Sequence, residues 1–548
     1  MKRLLLAGLA LSAGAALASA SCSTTCNSNC NGVYGKTYFH AREAGQDEAM
    51  RLMGVADKMH LFEKECEFYG VFSVAVGYER SFRASKLGSY FAFPATGCCT
   101  RFSSDTHVEI PSTGGNVAID ANSNARAEEF GVSSPYKSTL CFEPRIQKVK
   151  IDLDLFLGLD QFINGLWLRV MAPMVWAQYK LNPCESNVTT STATYPAYFV
   201  NSANTPVTPP YTNLVSAWTN LGTYGDVQAT NHGKIYCGSE SKFRLASLDL
   251  ELGYDLVRNE CAQLGAFIYG VAATGNKPSM TYLFSPVAGT YNWQLGGGLN
   301  GRWTMWNKND EQKLSLYGEI VMTHMFKRSS ERILGLNVLT QAGSPWLLLK
   351  QFTAGNTTSV SYTNKIYRAT DMLTRCIKVG NNFMTDLALM LQYRRCAFDF
   401  SLGYNFWYRS ADKSSSCCTT SSCNTSCCTS SASTFAAGTY GIKGVALGGV
   451  SGNDNSINFY RKSDSDIKTS GTAGALATAT DFVLESDVTN CIALAPSARS
   501  NKVFGYIGYN WENCDFTPYL GIGAMGEWAN SNHAASQWGI YLKGGLSF

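Results

Sequence analysis

Alternation of apolar and polar residues over long stretches constrains this chain more than any other feature. Residues 148–160 read KVKIDLDLFLGLD, with Val149, Ile151, Leu153, Leu155, Leu157 and Leu159 on one parity and Lys148, Lys150, Asp152 and Asp154 on the other. Residues 247–256 set Leu248, Leu250, Leu252 and Tyr254 against Asp249, Glu251 and Asp255. Residues 396–409 set Phe398, Phe400, Leu402 and Tyr404 against Asp399, Ser401 and Arg409. A period of two places these sets on opposite faces of β-strands. Soluble strands centre on about 5–6 residues, and these runs reach the ~9–11 residues that cross a bilayer at a tilt. After the amino-terminal leader, no apolar run attains the ~18 residues expected of a spanning helix.

Twelve such strands are legible: about residues 68–82, 147–159, 164–178, 243–256, 262–274, 291–306, 313–326, 383–393, 396–409, 502–511, 515–528 and 537–548. Short connections (160–163, 257–261, 307–312, 394–395, 512–514) alternate with longer ones (83–146, 179–242, 275–290, 327–382, 410–501, 529–536). Short periplasmic turns and longer extracellular loops characterise outer-membrane barrels. The expected fold is all-β, a transmembrane antiparallel up-and-down β-barrel. Three connections are long enough to hide further strand pairs, for example near 346–352 or 457–462. The expected count is therefore even, between 12 and 18, and chain length favours 16 to 18.

Both ends of the chain agree. The last strand, QWGIYLKGGLSF, puts Ile540, Leu542, Leu546 and Phe548 on one apolar face; this terminal aromatic strand reads as a closing strand and barrel-assembly signal. At the start, Lys2 and Arg3 precede an apolar stretch, and Ala18-Ser19-Ala20 fits a cleavage site. Residues 1–20 thus read as a secretory signal peptide; Ser19-Ala20-Ser21 before Cys22 is a poor lipobox. The expected domains are the leader 1–20, an N-terminal cysteine-containing segment 21–67, and the barrel 68–548. Within 43–65, Met50, Met53, Val55, Met59 and Phe62 have helical spacing. A periplasmic helix, a helix in the barrel mouth and a surface helix all remain open for it. With short turns in the periplasm, both termini are expected there. The Ser/Thr-rich stretch 410–501 reads as a polar surface loop.

Charged residues make up 16% of the chain, below the roughly 25% of soluble proteins. The mean hydropathy is −0.10, as expected when apolar surface is spread over alternate residues. The net charge of +4 is unpatterned, and no basic run points to nucleic acid. A soluble β-sandwich is the alternative that the same composition leaves open. Trp293, Trp303, Tyr404, Tyr408, Trp511, Trp528 and Trp538 lie toward strand ends, where interfacial girdles form.

The polar parity carries the residues expected to line the lumen: Glu79, Lys148, Lys150, Asp152, Asp154, Arg169, Asp249, Glu251, Asp255, Arg302, Glu319, Asp386, Asp399, Arg409 and Lys543. On the lipid face such charges cost ~2–4 kcal/mol at the midplane, so they belong inside. They either filter ions in a wet channel or hold the wall together as a network. The acidic excess predicts a mild cation preference. Neighbouring acids such as Asp152 and Asp154 share a face automatically and do not imply catalysis. His324 falls on the lipid-facing parity, and His533 has no recognisable partner motif. No catalytic residue, metal or cofactor is expected. The glycines at 296–301 sit inside an alternating strand with no helix following, so the dinucleotide-binding context fails.

Nineteen cysteines behind a leader imply an oxidising compartment and disulfides. Cys98, Cys99, Cys417, Cys418, Cys423, Cys427 and Cys428 are the disulfide candidates. Adjacent cysteines pair poorly with each other, and an odd total leaves a thiol for loop stapling to miss or for intermolecular bonds.

The leader, the alternating strands, the terminal Phe548, the cysteines, the stretch FYGVFSVAVGYERSFR at 68–83 and the helix-like 41–54 together resemble the cysteine-rich major outer-membrane porins of Chlamydia-like and Legionella-like intracellular bacteria. The resemblance implies an outer-membrane porin passing ions and small hydrophilic solutes. It also implies contact with membrane lipid and the barrel-assembly machinery, a homotrimer, and disulfide links to envelope proteins. The cysteine loop 417–428 departs from common porins, so no pore residue is transferred. The alternative is a structural or adhesive surface protein that uses the barrel as an anchor; a filled lumen favours it, an open lumen the porin. A membrane-embedded enzyme ranks third.

Overall fold

The computed structural model describes residues 34–62, 68–93, 99–104, 117–118, 124–308, 311–353, 361–416, 435–444, 459–470, 481–511 and 516–548. The leader and Cys22, Cys26 and Cys30 lie outside the described residues.

Twelve antiparallel strands form the wall: β1 (Tyr69–Phe82), β2 (Arg145–Gly158), β3 (Leu166–Lys180), β4 (Leu248–Arg258), β5 (Ala262–Ala272), β6 (Gln294–Lys308), β7 (Gln312–Ile333), β8 (Thr374–Arg395), β9 (Phe398–Arg409), β10 (Ala498–Asn510), β11 (Thr517–Ala529) and β12 (Ser536–Ser547). Each pairs with its neighbour in chain order. β12 pairs with β1, with Val71 opposite Ser547 and Phe82 opposite Ser536, so the sheet closes on itself. Closure satisfies the backbone without leaving an edge. The twelve strands are those legible as alternation, and the favoured count of 16 to 18 is corrected to 12. The extra length goes elsewhere: Leu348–Phe352 pairs with Tyr362–Arg368 and Tyr440–Ile442 in a separate three-stranded sheet, and Tyr460 bridges to Ile442. Chain length was a poor guide because the connections fold among themselves.

The alternation maps onto burial. Leu250, Leu252, Ile268, Leu402, Ile507, Ile522, Ile540 and Leu542 are exposed on the outer face, while Asp249, Glu251, Asn405 and Lys543 between them are buried. Trp293, Trp303, Tyr404, Trp511, Trp528 and Trp538 are exposed; Tyr408 is half-buried. Among the described residues no helix is long and apolar enough to cross a membrane. The outer face is an apolar belt that water would not cover favourably.

The described short connections lie at one end of the barrel. There Phe548 and Gly70 exchange backbone hydrogen bonds at 2.9 Å. The long connections gather at the other end into a cap with its own core, including Tyr90, Phe91, Phe93, Phe102, Phe130, Trp218 and Trp346. Trp218 Nε1 donates to the Gly233 carbonyl at 2.8 Å, so this buried indole keeps a partner. The described parts of 410–501 join the cap: Phe435 and Tyr440 lie in its main core, and Phe459 and Phe482 pack on Phe352. The expected polar surface loop is corrected for these parts, because a few aromatics among many Ser, Thr and Gly are enough to bury them.

Candidate functional site in the barrel lumen

Residues 34–62 do not lie beside the barrel; they run through it. The segment starts in the cap, where Gly35 N donates to Ala92 O at 2.7 Å and Lys36 N to Tyr90 O at 3.1 Å. It ends near the short-turn end, where Leu61 N donates to the Tyr69 hydroxyl at 3.1 Å. The start of the strap at Tyr34 and the last residue, Phe548, therefore lie at opposite ends of the barrel. Among the described residues, the helical spacing at 43–65 yields one α-helix, α1 (Glu48–Leu52), capped by Asp47, whose Oδ1 accepts from Met50 N. Gly54 then turns the chain at φ +75°, with the Tyr506 ring so close that a Cβ would stand 2.7 Å from its hydroxyl. A left-handed residue in that contact favours glycine. The helix lies inside the lumen, a placement not among the periplasmic, barrel-mouth and surface ones that the sequence left open.

Charge pairing holds this strap to the wall. Arg42 donates to Asp386 on β8 at 2.6 Å and to Glu527 on β11 at 3.0 Å. Arg51 reaches Glu48 at 2.9 Å, Asp249 on β4 at 2.5 Å and Asp152 on β2 at 3.8 Å. Asp47 accepts from Lys502 on β10 at 2.8 Å and sits 3.5 Å from Lys150 on β2. His60 pairs with Asp255 on β4 at 3.1 Å, and Asp57 with Arg394 on β8 at 3.4 Å. Lys543 on β12 donates to the carbonyls of Met50 and Arg51 at 2.9 and 2.8 Å. Other wall charges pair with each other, Arg169 with Asp154 at 2.7 Å and Lys148 and Lys150 with Glu79, while Asp399 accepts from Gln392 at 2.7 Å. Arg302 donates to Asn259 O at 3.1 Å.

All fifteen residues expected to line the lumen are buried, and the strap or the facing wall brings most of them into contact. Arg409 is the outlier. It sits at the cap end of β9 and binds Asp412 at 2.6 Å, with His40 of the strap 3.1 Å from the same carboxylate. Burial pushes the Asp412 carboxyl up, but His40 and Arg409 outweigh it and bring it down to about 2.

Apolar contacts complete the seal. Ala49, Met50, Leu52, Met53 and Ala56 pack with Tyr317, Phe504, Tyr506 and Tyr541; Val55 and Met59 pack with Phe156, Trp167 and Phe267. Two cavities bordering the strap measure about 20 and 30 Å³, space for a water or two. The wall charges therefore face a packed interior rather than a wet channel.

The residues missed from sequence are the strap's own: Arg42, Asp47, Glu48, Arg51, Asp57, Lys58 and His60. Their signal was present as charges interleaved with the Met50, Met53 and Met59 pattern, the composition of an element buried in a charged surround.

Cys99 pairs with Cys141 across two cap strands, and Cys184, Cys237 and Cys376 are also disulfide-bonded. Cys98, Cys417, Cys418, Cys423, Cys427 and Cys428 lie outside the described residues. Cys261, Cys396 and Cys491 are free and exposed, the first two in short turns. His324 is exposed on the outer face, its Nδ1 3.1 Å from Asn382 O, and His533 binds Ser497 O at 2.8 Å. Neither meets a nucleophile or carboxylate in these contacts.

No family model matches the chain, and no curated protein matches it. Among solved structures it is similar to an outer membrane channel from Pseudomonas putida F1, at 10% identity and TM-score 0.33, covering 89% of this chain and 99% of that one. It is also similar to the beta domain of the Bordetella autotransporter BrkA, at 6% identity and TM-score 0.26, covering 88% and 100%. The Ralstonia pickettii toluene transporter TbuX follows at 6% identity and TM-score 0.24, covering 87% and 89%. Superposition at these scores is weak, and the architecture of this chain rests on its own strand pairing.

Proposed function

We propose that this protein is a bacterial outer-membrane β-barrel whose lumen is sealed by its own N-terminal strap, and that it anchors a folded cap on the cell surface. The single observation carrying this reading is the strap itself, buried through the lumen and ion-paired to five strands of the wall. The apolar outer belt supports the membrane location, and the long-loop end, carrying the cap, is the extracellular one. The apolar face of β12, with Ile540, Leu542, Leu546 and Phe548, is the element offered to the assembly machinery. The exposed thiols Cys261, Cys396 and Cys491 are the ones free to form envelope crosslinks.

A second reading is a porin that conducts ions and small hydrophilic solutes once the strap moves. It is favoured by the polar wall: the strap's partners Asp152, Asp249, Asp386, Lys502 and Glu527 would face water if it left. Efflux of a small sugar from vesicles carrying the purified protein separates the two. Wild type that retains the sugar, beside a leaking Arg42→Ala/Arg51→Ala variant, supports the sealed barrel. Wild type that leaks as fast as the variant supports a standing channel.

A further inference from the structure

α1 of the strap holds Glu48 against Glu251 on β4 and Glu319 on β7. One carboxylate oxygen from each lies within 4.8 Å of the other two, and all three side chains are buried. Burying like charges together is costly unless something of opposite sign joins them. The nearby cations are largely committed elsewhere. Arg169 makes its short bonds to Asp154, at 2.9 and 2.7 Å, and stands 3.7 Å from Glu251 and 3.5 Å from Glu319. Arg51 binds one oxygen of Glu48 and also Asp249. Lys543 spends its hydrogen bonds on two strap carbonyls. Glu48, Glu251, Glu319, Asp152, Asp154 and Asp249 thus set six carboxylates against three cations.

Glu251 supplies an independent observation. It is wholly buried, and neither of its carboxylate oxygens receives a hydrogen bond; Oε2 of Glu48 also lacks one. Such orphaned buried acceptors are rare in native proteins. A cavity of about 20 Å³ reaches Glu251 and Glu319; His60, Arg169, Gln263, Asn300 and Arg302 are among its other lining residues, and it has space for about one water.

We propose that Glu48, Glu251 and Glu319 bind a Ca²⁺ ion that latches the strap to the wall. An all-carboxylate donor set selects a hard cation over thiophilic or imidazole-seeking metals. Ca²⁺ bonds oxygen at about 2.3–2.6 Å, so opposite ligands stand up to about 5 Å apart; Mg²⁺ at about 2.0–2.1 Å needs a tighter set. The ion joins one strap residue to β4 and β7, strands other than the β8 and β11 that Arg42 meets, so its loss loosens the strap where α1 meets the wall. This inference rests on the strap's position, and metal content is read independently of whether the barrel conducts.

The test uses the full mature protein, purified in detergent, stripped with chelator and returned to Ca²⁺. Elemental analysis is expected to find about one Ca²⁺ per chain. The unfolding temperature is expected to rise by several degrees with Ca²⁺ and less with Mg²⁺, because a ligand that binds only the folded state stabilises it. Glu251→Gln/Glu319→Gln loses both the bound ion and the temperature response. If that pair does not fold, Glu48→Gln on the strap gives the same readout. No bound Ca²⁺ in wild type overturns the proposal. So does a temperature response that the variants keep, which would place the ion elsewhere. A metal-free Glu251→Gln more stable than wild type also overturns it, because the cluster is then neutralised by protons.

Discussion

Arg51 of the strap and Asp249 of β4 meet 2.5 Å apart, both fully buried. An exposed pair of this kind contributes little, but removing one partner of a buried pair costs about 3–5 kcal/mol by stranding the other charge. Arg51 also binds Glu48 and approaches Asp152, so Arg51→Ala strands more than one carboxylate. Its heat-modifiability transition, read by gel mobility, is expected well below that of wild type. Arg51→Met/Asp249→Leu, which removes both charges of this contact, should recover part of the loss.

The strap enters from the cap end, with Gly35 bonded to Ala92. An epitope inserted directly before Tyr34 should therefore bind antibody on intact cells. The same epitope in the turn between Arg258 and Ala262 should bind only after permeabilisation. The reverse pattern would put the strap's start on the short-turn side.

Thiol labelling divides in the same way. Cys491 packs near the cap, where its carbonyl accepts from Lys36 at 2.6 Å, and an impermeant maleimide should label it on intact cells. Cys261 and Cys396, in the short turns, should be labelled only when the envelope is opened. The Cys99–Cys141 bond closes a separation of 42 residues within the cap. Its removal should lower stability by about 2–4 kcal/mol, seen as faster proteolysis of the cap with the barrel fragment left intact.

Acid acts on the strap at the cap junction through Asp412. Its carboxyl is held at about 2 in the folded protein, against an ordinary value near 3.9. The unfolded chain therefore takes up the proton first as pH falls. The contribution of Asp412 is complete above about pH 4 and is lost as pH drops through about 2. Asp412→Asn should remove it at every pH. The acid unfolding profiles of wild type and variant should then converge below pH 2 and separate above pH 4.

How much of this was legible in the sequence depends on range. Each wall strand carries its own signal, since Leu250, Leu252 and Tyr254 face outward simply by alternating with Asp249, Glu251 and Gly253. The inward charges were readable for the same reason. What they face was not. Arg42 finds Glu527 across 485 residues and Lys543 finds Met50 across 493, and no local period encodes such a meeting. The cap was missed because Trp218, Trp346 and Phe435 are isolated aromatics in polar stretches. They form a core only when several loops converge. The strand count of 16 to 18 failed on the same point, since it treated loop length as wall.

Single-channel recording in a planar bilayer tests the sealed lumen most directly, with refolded wild type beside Arg42→Ala/Arg51→Ala. The expected result is a silent wild type and discrete conductance steps from the variant. Stable steps of equal size from wild type would contradict a strap that fills the barrel.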